Sequence, residues 1–278
     1  MNQLVQLSNE AIRRVAPSVF ATEAWEGVSD KYEFIPTIGI VDALRSEGFF
    51  PVKVQQSLCR IPGKRDFTKH LIRFRREADM TNLPRVVNGN AHHFYAKDEQ
   101  PIIPEVVLTN SHDRSGSFVL DAGLFRQLCS NGLIVSAGSF GSIRTRHVAS
   151  NAADNVIEGV YSVVEEFPHV LEQVNVWQQK VLNERQQLAF AAAACELRWG
   201  DTAPVRPEQL LQIRRAGDRP NDVFTTMNRI QENIIKGGVR GRGKTNKRLT
   251  TRAVNSVNED VRLNKALWRL TEELAKAV

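Results

Sequence analysis

No run of about 18 apolar residues occurs in this chain, so a membrane-spanning helix is excluded. The longest apolar patch, Leu188 to Cys195, is less than half that length. Residues Met1 to Glu10 are polar and lack the apolar core of an export signal, which points to a cytoplasmic protein with no membrane partner. Cysteine is scarce. Cys59, Cys129 and Cys195 are odd in number, widely spaced and without a CxxC pair, so reduced, mostly buried thiols are expected rather than a disulfide framework. There is also no Walker A loop, no GxGxxG after a strand, no HExxH and no GxSxG. The run Gly237 to Thr245 has the glycines and lysine of a phosphate loop, but it follows a helical pattern and lacks the GxxxxGK[ST] frame. No nucleotide, metal or other cofactor is therefore expected.

What is present is an ordinary globular composition. The 278 residues are 42% hydrophobic and 24% charged, enough for one large domain or two modest ones with a core that needs no cross-link. The net charge of +6 is unevenly spread. Residues 51–80 carry Lys53, Arg60, Lys64, Arg65, Lys69, Arg73, Arg75 and Arg76 against Asp66, Glu77 and Asp79, a surplus of +5. Residues 236–252 carry Lys236, Arg240, Arg242, Lys244, Lys247, Arg248 and Arg252 with no acid, a surplus of +7. The rest of the chain is therefore net acidic. Two concentrated basic islands repel themselves, and a polyanion relieves that repulsion.

The pattern of apolar residues predicts an α+β chain. A short helical stretch lies around Leu4 to Val15. Pro36 opens a helix with Ile38, Val41 and Leu44 on one face and Gly48 as its stop. Phe50 to Cys59 and Lys69 to Arg76 alternate as strands around the turn Ile61-Pro62-Gly63-Lys64. On the second strand, Lys69, Leu71, Arg73 and Arg75 share one face, and His70, Ile72 and Phe74 the other. Thr81 to Gln100 reads as a polar loop carrying His92-His93, and Glu105 to Asn110 as a third strand. A helix is expected from about Leu120, with Leu124, Phe125 and Leu128 on one face and Asn131-Gly132 as its C-cap, then a short strand at Leu133 to Val135. The fold class is thus a helix, a three-stranded antiparallel hairpin sheet and a helix, followed by a mainly helical half. The division falls at 1–150 and 151–278. In the second part, helices are expected at 155–167, 170–182, 185–199, 208–215 and 257–277, with another capped by Asn221 and stopped by Gly237-Gly238. The acid-free, glycine-rich stretch 239–250 reads as mobile.

Three passages are specific: Val107-Leu108-Thr109-Asn110-Ser111-His112-Asp113, Gly123-Leu124-Phe125-Arg126-Gln127-Leu128-Cys129-Ser130-Asn131-Gly132-Leu133-Ile134-Val135, and Gln231-Glu232-Asn233-Ile234-Ile235-Lys236-Gly237-Gly238. With Tyr32 to Leu44 and Asn264-Lys265-Ala266-Leu267-Trp268, they resemble the phage-, prophage- and plasmid-borne family catalogued as domain of unknown function 932, over about residues 17–270. A second resemblance is topological. The order helix–strand–strand–strand–helix, with Leu124 to Leu133 as the closing helix, looks like the ring-forming single-strand annealing proteins. That likeness implies a basic groove holding one strand's backbone, and protomers joined side by side.

The reading that follows is a phage, prophage or plasmid protein that binds and anneals single-stranded DNA in recombination or replication, without hydrolysing nucleotide. Its expected DNA contacts are Lys53, Lys69, Arg73, Arg75, Arg126, Arg240, Arg242, Lys244, Lys247 and Arg248, and it is expected to form a homo-oligomer, a ring or filament. The alternative is an anti-defence or host-takeover protein that binds a host repair or defence complex through its acidic helical half, with Asp154, Glu158, Glu165, Glu166, Glu172, Glu184 and Glu196. A metal-dependent nuclease using His112 and Asp113 is a third reading. Neighbouring strand residues point apart, so turn chemistry is the simpler role for that pair.

Overall fold

The computed structural model describes residues 6–26, 34–78, 102–126, 132–135, 143–144, 152–243 and 245–278. The expected loop Thr81 to Gln100, with His92 and His93, lies outside the described residues, as does Cys129. The chain is α+β, and its first part is a sheet between helices. Helix α1 (Asn9–Val15) starts where the Ser8 side chain accepts from the Ala11 amide. Helix α2 (Thr37–Ser46) follows Pro36, and Gly48, at φ 80°, turns the chain into β1 (Phe49–Gln56). Strands β2 (His70–Arg76), β3 (Ile102–Asn110), β4 (Val119–Arg126) and β5 (Gly132–Ile134) continue an antiparallel sheet in the order β1-β2-β3-β4-β5. The two-residue β6 (Ile143–Arg144) also pairs with β4.

The helix expected from about Leu120 is not formed at Val119–Arg126. Leu120 to Arg126 is a strand, not a helix, and the chain is again extended at Gly132. Leu120 and Leu124 are four apart, a spacing that a helix and a strand both place on one face. Ala122 between them decides it. Leu120, Ala122 and Leu124 all enter the main core, as alternation requires. Gly123 allows the close pairing, since a Cβ there would lie 2.7 Å from the Val107 side chain. The closing helix that carried the likeness to annealing proteins is therefore absent from Val119–Arg126.

The second part wraps helices around the sheet. Helix α3 (Ala152–Glu165) packs with α2 on the face that carries Ile72, Phe74, Val106 and Leu108. Helices α4 (Phe167–Gln179), α5 (Glu184–Trp199), the single turn α6 (Pro207–Leu210), α7 (Val223–Lys236) and α8 (Val257–Ala277) complete it. The expected helix at 208–215 shrinks to α6, and Asp222, not Asn221, caps α7 by accepting from the Thr225 amide at 2.7 Å. Every residue of α7 from Val223 to Ile234 is buried, polar ones included. Most of those polar groups are matched, Arg229 Nε being an exception. Gln231 donates to Asn264 at 2.9 Å, Asn264 to Asp260 at 2.8 Å, and Asn233 to the Leu210 carbonyl at 2.8 Å. Arg215 and Lys236 pair with Glu232. The tilted rings of Trp177 and Trp268 meet at 4.6 Å between ring centres, tying α4 to α8. No described helix is long and apolar enough to cross a membrane.

At the far end of β2 and β3 a buried polar network closes the sheet. Thr37 Oγ1 bridges His70 Nε2 at 3.0 Å and His112 Nε2 at 3.2 Å, and accepts from Asn110 Nδ2 at 3.0 Å. Ser18 meets His70 Nδ1 at 2.8 Å. Burial, helped by the charge His112 would carry, lowers the His70 pKa to about 3; the Thr68 carbonyl and Asp113 oppose this weakly. The unfolded chain takes up that proton near pH 6.5 and the folded one refuses it, so the contribution is complete above about pH 6.5 and lost as pH falls. Between pH 6.5 and 4.5 the unfolding free energy should drop by up to about 1.4 kcal/mol per pH unit, and His70→Gln should flatten that slope in urea titrations. An unchanged slope in the variant would mean another group titrates.

Candidate nucleic-acid interface

The structure separates the two basic islands. The first is largely consumed inside the fold. Arg73 is 1% exposed and donates to Glu105 at 3.0 Å and to the carbonyls of Gly132 and Leu133 at 2.9 and 3.3 Å. Arg75 holds the other Glu105 oxygen at 2.8 Å and lies over the Phe125 ring, 4.0 Å from its centre. The face carrying Arg73 is covered, not open to solvent: Leu71, Val107 and Ile134 pack there against Val257 of α8. Lys53 is half-buried, and its pKa lies below the lysine value mainly through burial, then through the charge of Arg73. Lys69 is also depressed by burial, against the pull of Asp113, and it donates to Asn258 of α8. Arg126 closes β4 opposite Ile102. The alternation read from the sequence is right, but the basic face is an internal one.

The second island is displayed. The stretch expected to be mobile is a hairpin of β7 (Arg240–Arg242) and β8 (Arg248–Thr250). It is anchored at its base and along one edge. Gly238 donates to the Thr251 carbonyl at 2.8 Å, Thr251 to that of Val239 at 2.9 Å, and Arg242 to that of Pro204 at 2.7 Å. A Cβ on Gly241 would lie 2.0 Å from the Pro204 oxygen, so this glycine serves close approach rather than freedom. Arg240, Arg242, Lys247, Arg248 and Arg252 are exposed; Lys244 lies outside the described residues.

Between the hairpin and residues 203–209 runs a cleft of about 860 Å³. Arg206, Arg240, Arg242 and Arg248 line it with Gln209 and Thr250, and no described carboxylate does. Among the described residues no acid pairs with Arg240, Arg242 or Arg248; Arg206 has a loose, exposed contact to Glu208 at 3.9 Å. Guanidinium groups present forked donors that match phosphate oxygens. Arg206 gives no signal in the sequence, because it stands 34 residues before Arg240 and the two segments meet only in the fold, where Arg242 donates to the Pro204 carbonyl and Gln209 to the Arg240 carbonyl.

The other sequence candidates are structural. His112 is buried on Thr37 and Phe34, while Asp113 turns to Lys64 at 3.2 Å and to the Ser115 amide at 3.0 Å, so the pair forms no common site. Among the described residues no group of three or more His, Cys, Asp or Glu side chains is placed to hold a metal ion. Cys195 is a buried thiol whose pKa burial raises to about 11, the opposite of a nucleophile's environment.

Comparison with known proteins agrees with the motif reading. The model of the family described as "Domain of unknown function (DUF932)" matches residues 24–268. The chain is 41% identical to the UPF0380 protein YafZ of Escherichia coli (strain K12), covering 96% of this chain and 91% of that protein. It is 40% identical, over the same shares, to the UPF0380 protein YfjQ of the same strain. No solved structure matches.

Two sets of substitutions separate the roles of the islands. Arg73→Met leaves a buried carboxylate short of a partner and should cost about 3–5 kcal/mol in urea unfolding. Arg73→Glu with Arg75→Glu, which a solvent-facing strand would tolerate, should give no folded protein. Gly241→Val should lower stability by about 1–3 kcal/mol by levering the hairpin off Pro204. A change below about 0.5 kcal/mol at Gly241 would mean the hairpin is not braced there.

Proposed function

The chain belongs to the DUF932 family, and we propose that it binds single-stranded DNA through the β7–β8 hairpin and its cleft. The observation that carries this is the cleft itself: four arginines converge on one concave surface whose described lining has no acid. No described aromatic residue lines it either, so contacts run to the sugar–phosphate backbone and carry little sequence preference. A concave site suits one flexible backbone, whereas a stiff duplex would meet only its rim. Holding a strand by its backbone leaves its bases free to pair, which is the requirement for annealing, and our reading places the protein in that role on a phage, prophage or plasmid. The binding would need no nucleotide, because counterion release drives it.

The test is fluorescence anisotropy with a labelled single strand and its duplex at several salt concentrations. The single strand should bind more tightly. Changing Arg206, Arg240, Arg242 and Arg248 together to Ser should weaken binding at least tenfold at low salt. The log–log salt slope should flatten by about 2–3, at roughly 0.7 for each phosphate that is no longer neutralised. The variant should stay folded, since these side chains reach no part of the core. Unchanged affinity and slope, or tighter duplex binding, would overturn the proposal.

A further inference from the structure

The two ends of β1 carry surfaces of different charge: bases exceed acids in the loop after Gln56, where Asp66 is exposed beside Arg60 and Arg65. At the Gln56 end, the connection to β2 holds Leu58 87% exposed and Ile61 55% exposed, beside exposed Arg60 and Arg65. A single exposed Leu needs no explanation, but this loop is built. The Lys64 amide donates to the Ile61 carbonyl at 3.3 Å, Gln56 to the Arg65 carbonyl at 2.8 Å and Thr68 to the Ser57 carbonyl at 3.2 Å. Lys64 pairs with Asp113 at 3.2 Å, and Trp25 lies edge-on to Phe67 at 5.2 Å between ring centres. Arg60 and Arg65 have no carboxylate at ion-pair distance among the described residues.

At the Phe49 end acids outnumber bases, with Arg76 lying 5.8 Å from the centre of the Phe49 ring. Asp154, Glu158, Tyr161 and Glu165 follow helical spacing along one exposed stripe of α3. Tyr161 stands edge-on to Phe49, 5.9 Å between ring centres, and donates to Glu47 at 2.8 Å. The tyrosine is 37% exposed. Glu77 reaches the same end through its amide on the Gly48 carbonyl at 3.2 Å. The eight residues of β1 separate the two ends by roughly 25 Å.

We propose that these ends are the two halves of a head-to-tail contact between copies of this chain. Leu58 and Ile61 of one copy pack on the exposed side of Tyr161 in the next, and Arg60 and Arg65 face Glu47, Glu158 and Glu165. The surplus of each patch favours tip on face over like on like, and because the two patches lie at opposite ends of β1, one such contact leaves a tip and a face free for further copies. A repeating contact closes into a ring or runs on as a filament. Neither patch contains a residue of the cleft, so this inference does not rest on the DNA-binding reading.

Sedimentation velocity of the full chain, without DNA, tests it. The native protein should grow past dimer as concentration rises and fall back in high salt. A tip variant, Leu58→Glu with Ile61→Glu, and a face variant, Glu158→Lys with Glu165→Lys, change exposed residues only, and each alone should be monomeric. Mixed in equal amounts they should form one-to-one dimers and nothing larger, because each mixed pair has one intact tip and one intact face. A native protein that stays monomeric at all concentrations, a variant that still assembles, or a mixture that stays monomeric would each overturn the proposal.

Discussion

The rest of the structure depends on a cation buried at the centre of the sheet. Arg73 cannot sit there without compensation, because an unpaired charge out of water costs several kcal/mol. Glu105 from β3 and the carbonyls of Gly132 and Leu133 supply that compensation, and Arg75 completes Glu105. The requirement shapes the surrounding chain. A Cβ on Gly132 would lie 2.2 Å from the Arg73 guanidinium, so β5 can start beside it only with glycine. Asp260 and Val257 of α8 then lie over the same face, and burial raises the Asp260 carboxyl even as the fields of Arg73 and Lys53 pull it down. One charge thus fixes strand β5, helix α8 and the dry second face of the sheet.

That constraint also decides where a polyanion can be held. Arg73, Arg75, Lys53 and Lys69 balance charges or cover apolar surface within the fold. The hairpin cations Arg240, Arg242 and Arg248 balance no described carboxylate, and Arg242 spans only its own turn, donating to Asn246 Oδ1 at 3.0 Å. The same turn that ends α7 at Gly237, φ 64°, and Gly238, φ 79°, sends the chain into the hairpin and then back into α8. The exposed arginines are therefore mounted between the two helices that form the interior of the second part. They are both held in place and electrically unsatisfied, which is the combination a binding surface needs.

Much of this is legible in the sequence, and the failures share a cause. Helix α2, strands β1 to β3, and helices α7 and α8 follow from local periodicity and capping. The alternation of β2 correctly puts Arg73 opposite Phe74. What alternation cannot say is which face meets water, because the cover over Arg73 comes from α8, some 185 residues further along the chain. The strand at Val119–Arg126 reads as a helix because a four-residue spacing suits both periods. The order of the hairpin is hidden because its partner is the carbonyl of Pro204, a pairing with no sequence signal. The glycines that read as freedom are, at Gly241, a demand for proximity. Arg206 escapes notice for the same reason. In the motifs Gln231–Gly238 and Asn264–Trp268, the buried Gln231 and Asn264 bond to each other between α7 and α8, a structural role that local pattern does not reveal.

The central claim is that the hairpin, not the sheet, meets the nucleic acid. Hydrogen–deuterium exchange of the full chain, with and without a saturating single-stranded oligonucleotide, tests it most directly. Added protection is expected at residues 203–209 and 239–252, with His70–Arg76 as protected alone as in complex. Protection gained along β1 and β2 while the hairpin is unchanged would contradict it.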